Sequence, residues 1–274
     1  MKTADAMTWE EAVLWLREQP DQVELVRACF YDDPLLAAAE RYYQSSEWLA
    51  VRELLPRPPG KALDLGAGRG ISSYALARDG WDTTALEPDP SAIVGTGAIR
   101  NLSRESGLRI EIAEDRAEKL PFDDGSFDLV HGRQILHHSD HLERLCGEVA
   151  RVLKPGGVFI ATREHVISRQ GDLQRFLDSH PLHRFYGGEN AFQLDEYRNA
   201  LMRGGLDVIR ILNPFQSDIN LFPETLSDLK TRLAGRIHFP FPGIIPDWSL
   251  ALIGALSRQP GRLYTFLARK SHAG

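Results

Sequence analysis

From residue 61 onward, short apolar runs alternate with segments in which apolar residues recur every three or four positions. Runs of this length predict strands, and the longer spacing predicts helices with one buried face. The predicted strands cover residues 62–65, 83–87, 109–113, 127–131, 158–162, 206–212 and 263–268. Because strands and helices alternate through the first five, we expect right-handed crossovers and a mostly parallel sheet covered on both faces.

The helices between these strands are marked by capping and breaking residues. They are expected at 71–78, from about residue 91 to 102, after residue 140 and at 194–202. Ser139 or Asp140 is predicted to cap the third of them, whose apolar residues are spaced to form one buried face. The sequence KPGG at 154–157 then predicts a type II turn, with Pro second and Gly third.

The whole chain is predicted to divide into three parts, of which the alternating region is one. Residues 1–60 are predicted to form a helical arm, with a capping box at Thr8 and Glu11 and a second helical region at 35–55. Residues 61–212 with 262–270 form the expected core, within which 163–193 is predicted to be rich in loops. Residues 213–261 form an insertion that is either a lid over the substrate or a subdomain that buries its own apolar residues.

Composition narrows the classes of function. The chain has 274 residues and a formal net charge of -6, which argues against a broad nucleic-acid-binding surface. Its sequence has no apolar run long enough to span a bilayer and no signal-peptide pattern at its start. The two cysteines, without a CxxC pair, predict neither a disulfide framework nor a structural zinc site, so we expect a cytoplasmic protein. The oligomeric state stays open.

Candidate ligand-binding residues lie where the predicted parallel strands end. Ligands of open parallel sheets bind at the carboxyl ends of the strands, where the connections diverge. The first strand ends near Asp64, the second at Glu87, the third leads to Asp115, and the fourth leads to Arg133 and Gln134. We therefore expect these side chains to surround one site.

A glycine-rich turn, LDLGAGRG at residues 63–70, follows the first strand and opens a helix. Glycines let the backbone turn sharply and come close to a ligand. A dinucleotide fold would need the spacing G-x-G-x-x-G, whereas here the last interval is one residue short. Asp64, just before the turn, would also repel a pyrophosphate. A positively charged ligand without phosphate suits this carboxylate better.

Residues 61–162 resemble the class I S-adenosylmethionine-dependent methyltransferases, and are most similar to the group that includes the quinone-biosynthesis enzymes. Four motifs match in order: residues 63–70; LEPD at 86–89; 113–122 with FDLV at 127–130; and RVLKPGG at 151–157. The resemblance implies a Rossmann-like, doubly wound, mostly parallel seven-stranded sheet, with the N-terminal helices and the helical insertion added to it. It also implies S-adenosylmethionine as the cofactor.

The resemblance assigns a role to each candidate residue at the cofactor site. Gly66 and Gly68 would bring backbone against the methionine and ribose portions, and Asp64 would orient the ammonium through water. Glu87 would accept hydrogen bonds from both ribose hydroxyls. Asp115 would accept from the adenine amino group beside the Arg116 N–H, with Glu114 and Glu118 as alternatives. Arg133 and Gln134 would lie near the sulfonium and the carboxylate.

The expected reaction moves a methyl group to an oxygen or carbon of a small or medium-sized molecule. An acceptor that must lose a proton needs a base, and His138 and His165 are the predicted catalytic residues. A metal site at His137, His138 and His141 is not expected, because adjacent histidines on a turn seldom point the same way. The alternatives are an S-adenosylmethionine-binding protein without turnover and an NAD-dependent oxidoreductase. The acceptor itself is not identified, and its recognition is assigned to the N-terminal arm, 163–193 and the insertion.

Overall fold

A computed structural model describes residues 7–180 and 183–271, with only the backbone of residue 184. Within them the strands are β1 (Lys61–Leu65), β2 (Asp82–Leu86), β3 (Ile110–Ala113), β4 (Phe127–Arg133), β5 (Leu153–Ile167), β6 (Phe192–Gln193), β7 (Leu206–Leu212) and β8 (Arg262–Lys270). They form one sheet in the order β3-β2-β1-β4-β5-β8-β7, and β6 pairs with β5 beside this path. The predicted mostly parallel sheet is confirmed. The short β6 was not predicted, because two residues carry no alternation.

The order of strands explains where a site can form. β1 pairs in parallel with β2 on one side and with β4 on the other. Among the seven strands of the path, β8 alone runs in the opposite direction, antiparallel to both β5 and β7. The connections from β1 and β4 therefore leave the same edge of the sheet in different directions, which opens a crevice there.

The described helices flank the sheet. They are α1 (Trp9–Arg17), α2 (Val23–Ala28), α3 (Leu35–Gln44), α4 (Ser46–Arg52), α5 (Ile71–Arg78), α6 (Thr96–Ser106), α7 (Leu142–Val152), α8 (Leu173–Ser179), α9 (His183–Tyr186), α10 (Leu194–Arg203), α11 (Asp218–Leu221), α12 (Leu226–Arg236) and α13 (Asp247–Leu256). None of the helices in the described part of the chain is long and apolar enough to cross a membrane.

Two large apolar clusters bury the sheet from opposite sides. One includes Leu145 and Val149 of α7 and Leu201 of α10, packed on β4, β5 and β8. The other includes Tyr42 of α3 and Trp48 of α4, so these two helices of the N-terminal arm are part of the core. The same strands therefore carry apolar side chains on both faces, as a sheet covered on both sides requires.

Three local predictions are wrong, and in each region a serine hydroxyl accepts backbone N–H groups. The helical region at 35–55 is two helices, since Ser45 leaves helical geometry and its hydroxyl caps α4. The helix expected from residue 91 starts at Thr96, because residues 91–95 form a turn in which the Ser91 Oγ accepts the N–H groups of Ile93 and Val94.

The third concerns the cap of α7. Its N-cap is His141, without a side-chain hydrogen bond, and the Ser139 hydroxyl accepts the His141 N–H at 3.2 Å. Neither Ser139 nor Asp140 is the N-cap residue. The segment 163–193 is also more regular than expected, since β5 continues to Ile167 and α8 and α9 follow.

The insertion at 213–261 is attached to the core through its first helix. Asn220 of α11 donates to the carbonyls of Leu212 and Asn213, and its own amide oxygen accepts from Thr265 of β8. The later apolar residues are not buried as a self-contained subdomain would require, since Phe241, Ile244 and Trp248 are exposed. A lid role for this segment stays a prediction.

A buried ion cluster joins the arm to the carboxyl ends of β4 and β5. Glu47 of α4 is fully buried, and its two oxygens accept from Nε and Nη2 of Arg133 at 2.6 and 3.0 Å. Arg163, at an irregularity inside β5 between Ala161 and Glu164, lies 3.8 Å from the same carboxylate. The geometry is the bidentate one that makes arginine–carboxylate pairs strong.

Replacing Glu47 with alanine is therefore expected to lower the free energy of unfolding by about 3–5 kcal/mol, because Arg133 would remain buried without its partner. Urea denaturation measures the loss. Glu53→Ala, which removes an exposed acid just after the same helix, is the matched control and should change stability by less than about 0.5 kcal/mol. Equal losses in the two variants would contradict this account.

Candidate active site

Two adjoining cavities open at the carboxyl ends of β1, β2 and β4. The first has a volume of about 420 Å³ and the second of about 370 Å³. They share the four residues Gly66, Pro88, Ile135 and His138, so Ile135 and His138 stand between them. The two cavities therefore adjoin along a shared wall.

All of the predicted site residues line these cavities. Asp115 and Arg116 line the first; Gly66 and His138 line both; Asp64, Gly68, Glu87, Arg133, Gln134 and His165 line the second. The sheet thus brings together residues that are up to about a hundred positions apart in the sequence. The roles assigned to them individually stay predictions.

Gly66 and Gly68 of the glycine turn serve different purposes. Gly66 and Gly68 have φ of +68° and +52°, a region that favours glycine. A Cβ at Gly66 would lie 2.4 Å from Cδ1 of Ile135, so that glycine is needed for packing. A Cβ at Gly68 would approach only the Val94 carbonyl, at 3.9 Å. The free side of Gly68 lies in the second cavity, where a ligand can contact the backbone.

Glu87 is fixed beside this turn by two backbone groups. Its Oε2 accepts from the Gly68 N–H at 2.8 Å, and its Oε1 accepts from the Asp89 N–H at 3.0 Å. Burial nevertheless raises the pKa of Glu87, more than these hydrogen bonds lower it. Each oxygen retains a lone pair, so the carboxylate can still accept from two neighbouring hydroxyls.

Asp64 is held by the protein from both sides. The Ser73 hydroxyl donates to Oδ2 at 2.6 Å, and Nδ1 of His131 lies 3.2 Å from Oδ1. The side chain is 1% exposed but borders the second cavity. It therefore supplies a fixed negative charge at the cavity wall, which is the position a cationic ligand group requires.

Of the adjacent acids Glu114 and Asp115, Asp115 is the one that lines the first cavity. Its Oδ1 accepts from the Arg116 N–H at 2.7 Å, and both residues are exposed at the cavity rim. Glu114 is bound instead to Thr96 and Arg100, at 2.7 and 3.0 Å, and does not line the cavity. Glu118 remains beside Asp115 in the lining.

Gln134 takes its position from Arg133 and the strand end. Its backbone has φ of +56°, and its N–H donates to the Thr162 carbonyl at 2.9 Å. The Gln134 Oε1 accepts from Nη1 of Arg133 at 3.1 Å, while the rest of that guanidinium is bound to Glu47. Arg133 thus orients Gln134 at the cavity more than it offers free donors of its own.

His138 presents one imidazole nitrogen to the cavities. Its Nδ1 lies 2.9 Å from the Gly188 carbonyl and must donate, which leaves Nε2 as an acceptor. Burial of the ring, together with the positive charge of His137, lowers the pKa of His138. The ring is therefore neutral near pH 7 and able to accept a proton.

His165 is constrained in the same way. Its Nδ1 donates to the Gly261 carbonyl at 3.0 Å, so its Nε2 is also an acceptor. Burial and the charge of His137 lower the pKa of His165 to about 3. With a pKa this low, the ring binds a proton too weakly to serve as the main base.

Glu164 and Glu189 are functional candidates that the sequence did not reveal, and they meet at His137, which the sequence named without assigning it a role. Nδ1 of His137 lies 2.7 Å from Oε2 of the fully buried Glu164, and its Nε2 lies 3.5 Å from Oε2 of Glu189. Burial opposes the charge on His137, but the two carboxylates raise its pKa to about 9. His137 is therefore a cation at neutral pH.

Glu189 faces several imidazoles. Burial favours its neutral form, but His137 and the neighbouring His138 and His180 outweigh it, and they hold the pKa of Glu189 below its ordinary value. The Tyr186 hydroxyl donates to its Oε1. Two signals were available: Glu189 lies beside the glycine pair 187–188, and Glu164 lies between two other polar residues, Arg163 and His165, just after the predicted fifth strand.

Comparison with known proteins places this arrangement in a family. A methyltransferase domain profile matches residues 63–161. An uncharacterised methyltransferase of Synechocystis sp. is 33% identical over 178 residues, which is 62% of this chain and 76% of that protein. The sarcosine/dimethylglycine N-methyltransferase of Halorhodospira halochloris is 34% identical over 48% of this chain, and the match spans about half of that enzyme, 46% of its length.

The fold agrees with this placement. The structure of a geranyl diphosphate methyltransferase in complex with GPP and sinefungin superimposes with a TM-score of 0.58 at 18% identity. The match covers 85% of this chain and 77% of that one.

The charged state of His137 predicts a pH-dependent contribution to stability. Its pKa is raised from 6.5 to about 9, so the contribution is complete below pH 6.5 and is lost as the pH rises to 9. The shift corresponds to about 3 kcal/mol. Urea unfolding of the protein and of His137→Asn should therefore differ most near pH 6 and least near pH 10.

The exposed His238 provides the control for this measurement, and His238→Asn should show no such trend. A stability difference between the protein and His137→Asn that stays constant from about pH 6 to pH 10 would contradict the assignment.

Proposed function

The chain belongs to the class I S-adenosylmethionine-dependent methyltransferases, and from that premise we propose that it methylates a hydroxyl oxygen of a small molecule that carries a ring. A carbon acceptor that loses a proton is the second candidate. Sarcosine and dimethylglycine are the acceptors named for the relative from Halorhodospira halochloris, which makes nitrogen the alternative to be tested.

The two cavities divide the proposed roles. Asp115 and the Arg116 N–H would hold the adenine in the first cavity, and Glu87 would hold the ribose at the junction. Asp64 and Gln134 would lie by the amino-acid portion, beside Gly68. The open side of Gly68 and the negative charge of Asp64 fit S-adenosylmethionine, which supplies a methyl group on a positively charged sulfur when bound.

The single observation that carries the choice of acceptor is the set of acceptor atoms around the second cavity. Nε2 of His138 and Nε2 of His165 are left as acceptors, because each Nδ1 donates to a backbone carbonyl. Acceptor atoms of this kind favour a substrate with a donor group, whose proton they can bind by a hydrogen bond or remove. A hydroxyl group meets this requirement.

The aromatic residues of the second cavity favour a ring. Trp9 packs edge-on against Tyr31 and Tyr186, with ring centroids 5.4 and 4.5 Å away. Trp9 and Tyr31 come from the N-terminal arm and Tyr186 from α9, and all three line the second cavity. Two of the three segments assigned to acceptor recognition thus contribute to this wall.

We propose His138 as the residue that accepts the proton of the acceptor hydroxyl at Nε2. Its Nδ1–H is fixed by the Gly188 carbonyl, so the ring is oriented before substrate arrives. His165, with its much lower pKa, is proposed to accept a hydrogen bond from the substrate and thereby orient it. The ionised Glu189 would stabilise the resulting imidazolium of His138.

The cofactor assignment predicts specific losses of binding. Calorimetric titration should show that the protein binds S-adenosylhomocysteine and that Glu87→Ala and Gly68→Ala lose at least about tenfold in affinity. Gly107→Ala is a matched control for backbone strain, since Gly107 also has φ of +69° but lies in open space after α6. No binding by the unmodified protein at millimolar ligand, or equal losses in both glycine variants, would contradict the assignment.

The acceptor assignment predicts which of two matched substrates reacts. With labelled S-adenosylmethionine, hydroxybenzoates should be methylated and the corresponding aminobenzoates should not. His138→Gln should lower kcat by about 10²–10⁴-fold with little change in affinity for S-adenosylhomocysteine. Methylation of the amines alone would overturn the oxygen assignment. Tight cofactor binding with no labelled product from any acceptor would favour a binding protein without turnover.

A further inference from the structure

Three potential metal ligands meet in the wall of the second cavity, away from the residues assigned to the cofactor. His137, His165 and Glu189 each offer one nitrogen or oxygen atom, and these atoms lie within 4.8 Å of one another. Nε2 of His137 and Oε2 of Glu189 are 3.5 Å apart. Two ligands bound to one tetrahedral ion at about 2.0–2.1 Å stand about 3.4 Å apart, so this pair already has the right separation.

The two imidazoles are oriented as metal-binding histidines usually are. Nδ1 of His137 is held by the Glu164 carboxylate at 2.7 Å, and Nδ1 of His165 is held by the Gly261 carbonyl at 3.0 Å. In each ring the remaining nitrogen is Nε2; in His137 this nitrogen carries a proton, which a bound metal ion would displace. Histidine ligands to metals commonly donate their other ring N–H to a carboxylate or a backbone carbonyl.

Glu189 supplies an independent observation. Its side chain is 6% exposed, and its Oε2 is buried without a hydrogen-bond partner. The other oxygen is bound by the Tyr186 hydroxyl, which fixes the direction in which Oε2 points. The ion-pair partner of Oε2 is Nε2 of His137 at 3.5 Å, and a bound metal ion would contact Oε2 directly in place of the proton on that nitrogen.

We propose that His137, His165 and Glu189 bind one divalent transition-metal ion, of which zinc fits best. Two imidazoles and a carboxylate are a donor set for zinc, and three protein ligands leave a fourth position open. The second cavity lies on the open side. Calcium or magnesium would instead require a shell of oxygen ligands.

This proposal deepens the proposed function and rests on it. The open position is where the acceptor hydroxyl would bind, and a bound cation lowers the pKa of a coordinated hydroxyl. The O–H bond breaks, its proton forms an N–H bond at Nε2 of His138, and the electron pair stays on the oxygen. His165 then acts as a metal ligand in place of the hydrogen-bond acceptor suggested without a metal.

The test measures metal binding directly. The full chain, stripped with chelator, is titrated with Zn²⁺ by calorimetry and with Co²⁺ by visible absorption. We expect one ion per chain. His165→Ala and Glu189→Gln should weaken Zn²⁺ binding by at least about 100-fold, and Glu164→Gln, which alters the support of the His137 ring and of the backbone at 135–137, by about 10–100-fold. His238→Asn, at an exposed histidine outside the cavities, should bind as the unmodified protein does.

Circular dichroism and S-adenosylhomocysteine titration of each variant establish that it folds. Absence of Zn²⁺ and Co²⁺ binding by a chain that still binds S-adenosylhomocysteine overturns the metal site and leaves the methyltransferase assignment intact. Metal binding that is unchanged in folded His165→Ala and Glu189→Gln also overturns it. One bound ion in a chain that fails to bind S-adenosylhomocysteine supports the site and contradicts the proposed function.

Discussion

A single buried carboxylate, that of Glu164, organises the connection on which both cavities depend. It accepts the backbone N–H groups of Ile135, Leu136 and His137 at 3.0–3.1 Å, and it also binds the His137 ring. Without it, three backbone donors in the turn after β4 would lose their acceptor, at a cost of about 1–3 kcal/mol for each one left buried. The wall between the cavities exists because this carboxylate holds the turn in place.

The glycine turn and this wall are parts of one packing arrangement. The Ile135 side chain lies where a Cβ at Gly66 or Gly132 would be, at 2.4 and 2.6 Å from its nearest carbon atoms. The absence of side chains at these two positions therefore lets the turn after β4 close against the turn after β1. Gly68, by contrast, keeps its free side open toward the second cavity. Neighbouring glycines thus serve opposite needs, packing and access.

The sequence placed the residues proposed to bind the cofactor at one edge of the sheet, and it identified those proposed to bind the acceptor only in part. Asp64 and Glu87 lie at the carboxyl ends of predicted strands and Asp115 follows one, and parallel strands bring their carboxyl ends to one edge. His137 and Glu189 are 52 positions apart, and no periodicity links them. Their meeting depends on α8 and α9 folding back over the sheet, which long-range packing determines. The adjacent residues His137 and His138 show what the sequence does not predict. Their surroundings raise the pKa of His137 and lower that of His138, so the first ring is a cation and the second is neutral.

The sequence by itself determined the succession of strands and helices along the chain, the glycine turn and the family, because these depend on local alternation and on motifs of a few residues. The tertiary structure decided which charges are paired. Glu47 belongs to a predicted helical arm, and only burial of that arm against β4 and β5 makes it the partner of Arg133. Glu164 and Glu189 acquire their partners in the same way. Electrostatic roles depend on distance and burial, and both arise only when segments far apart in the chain pack together.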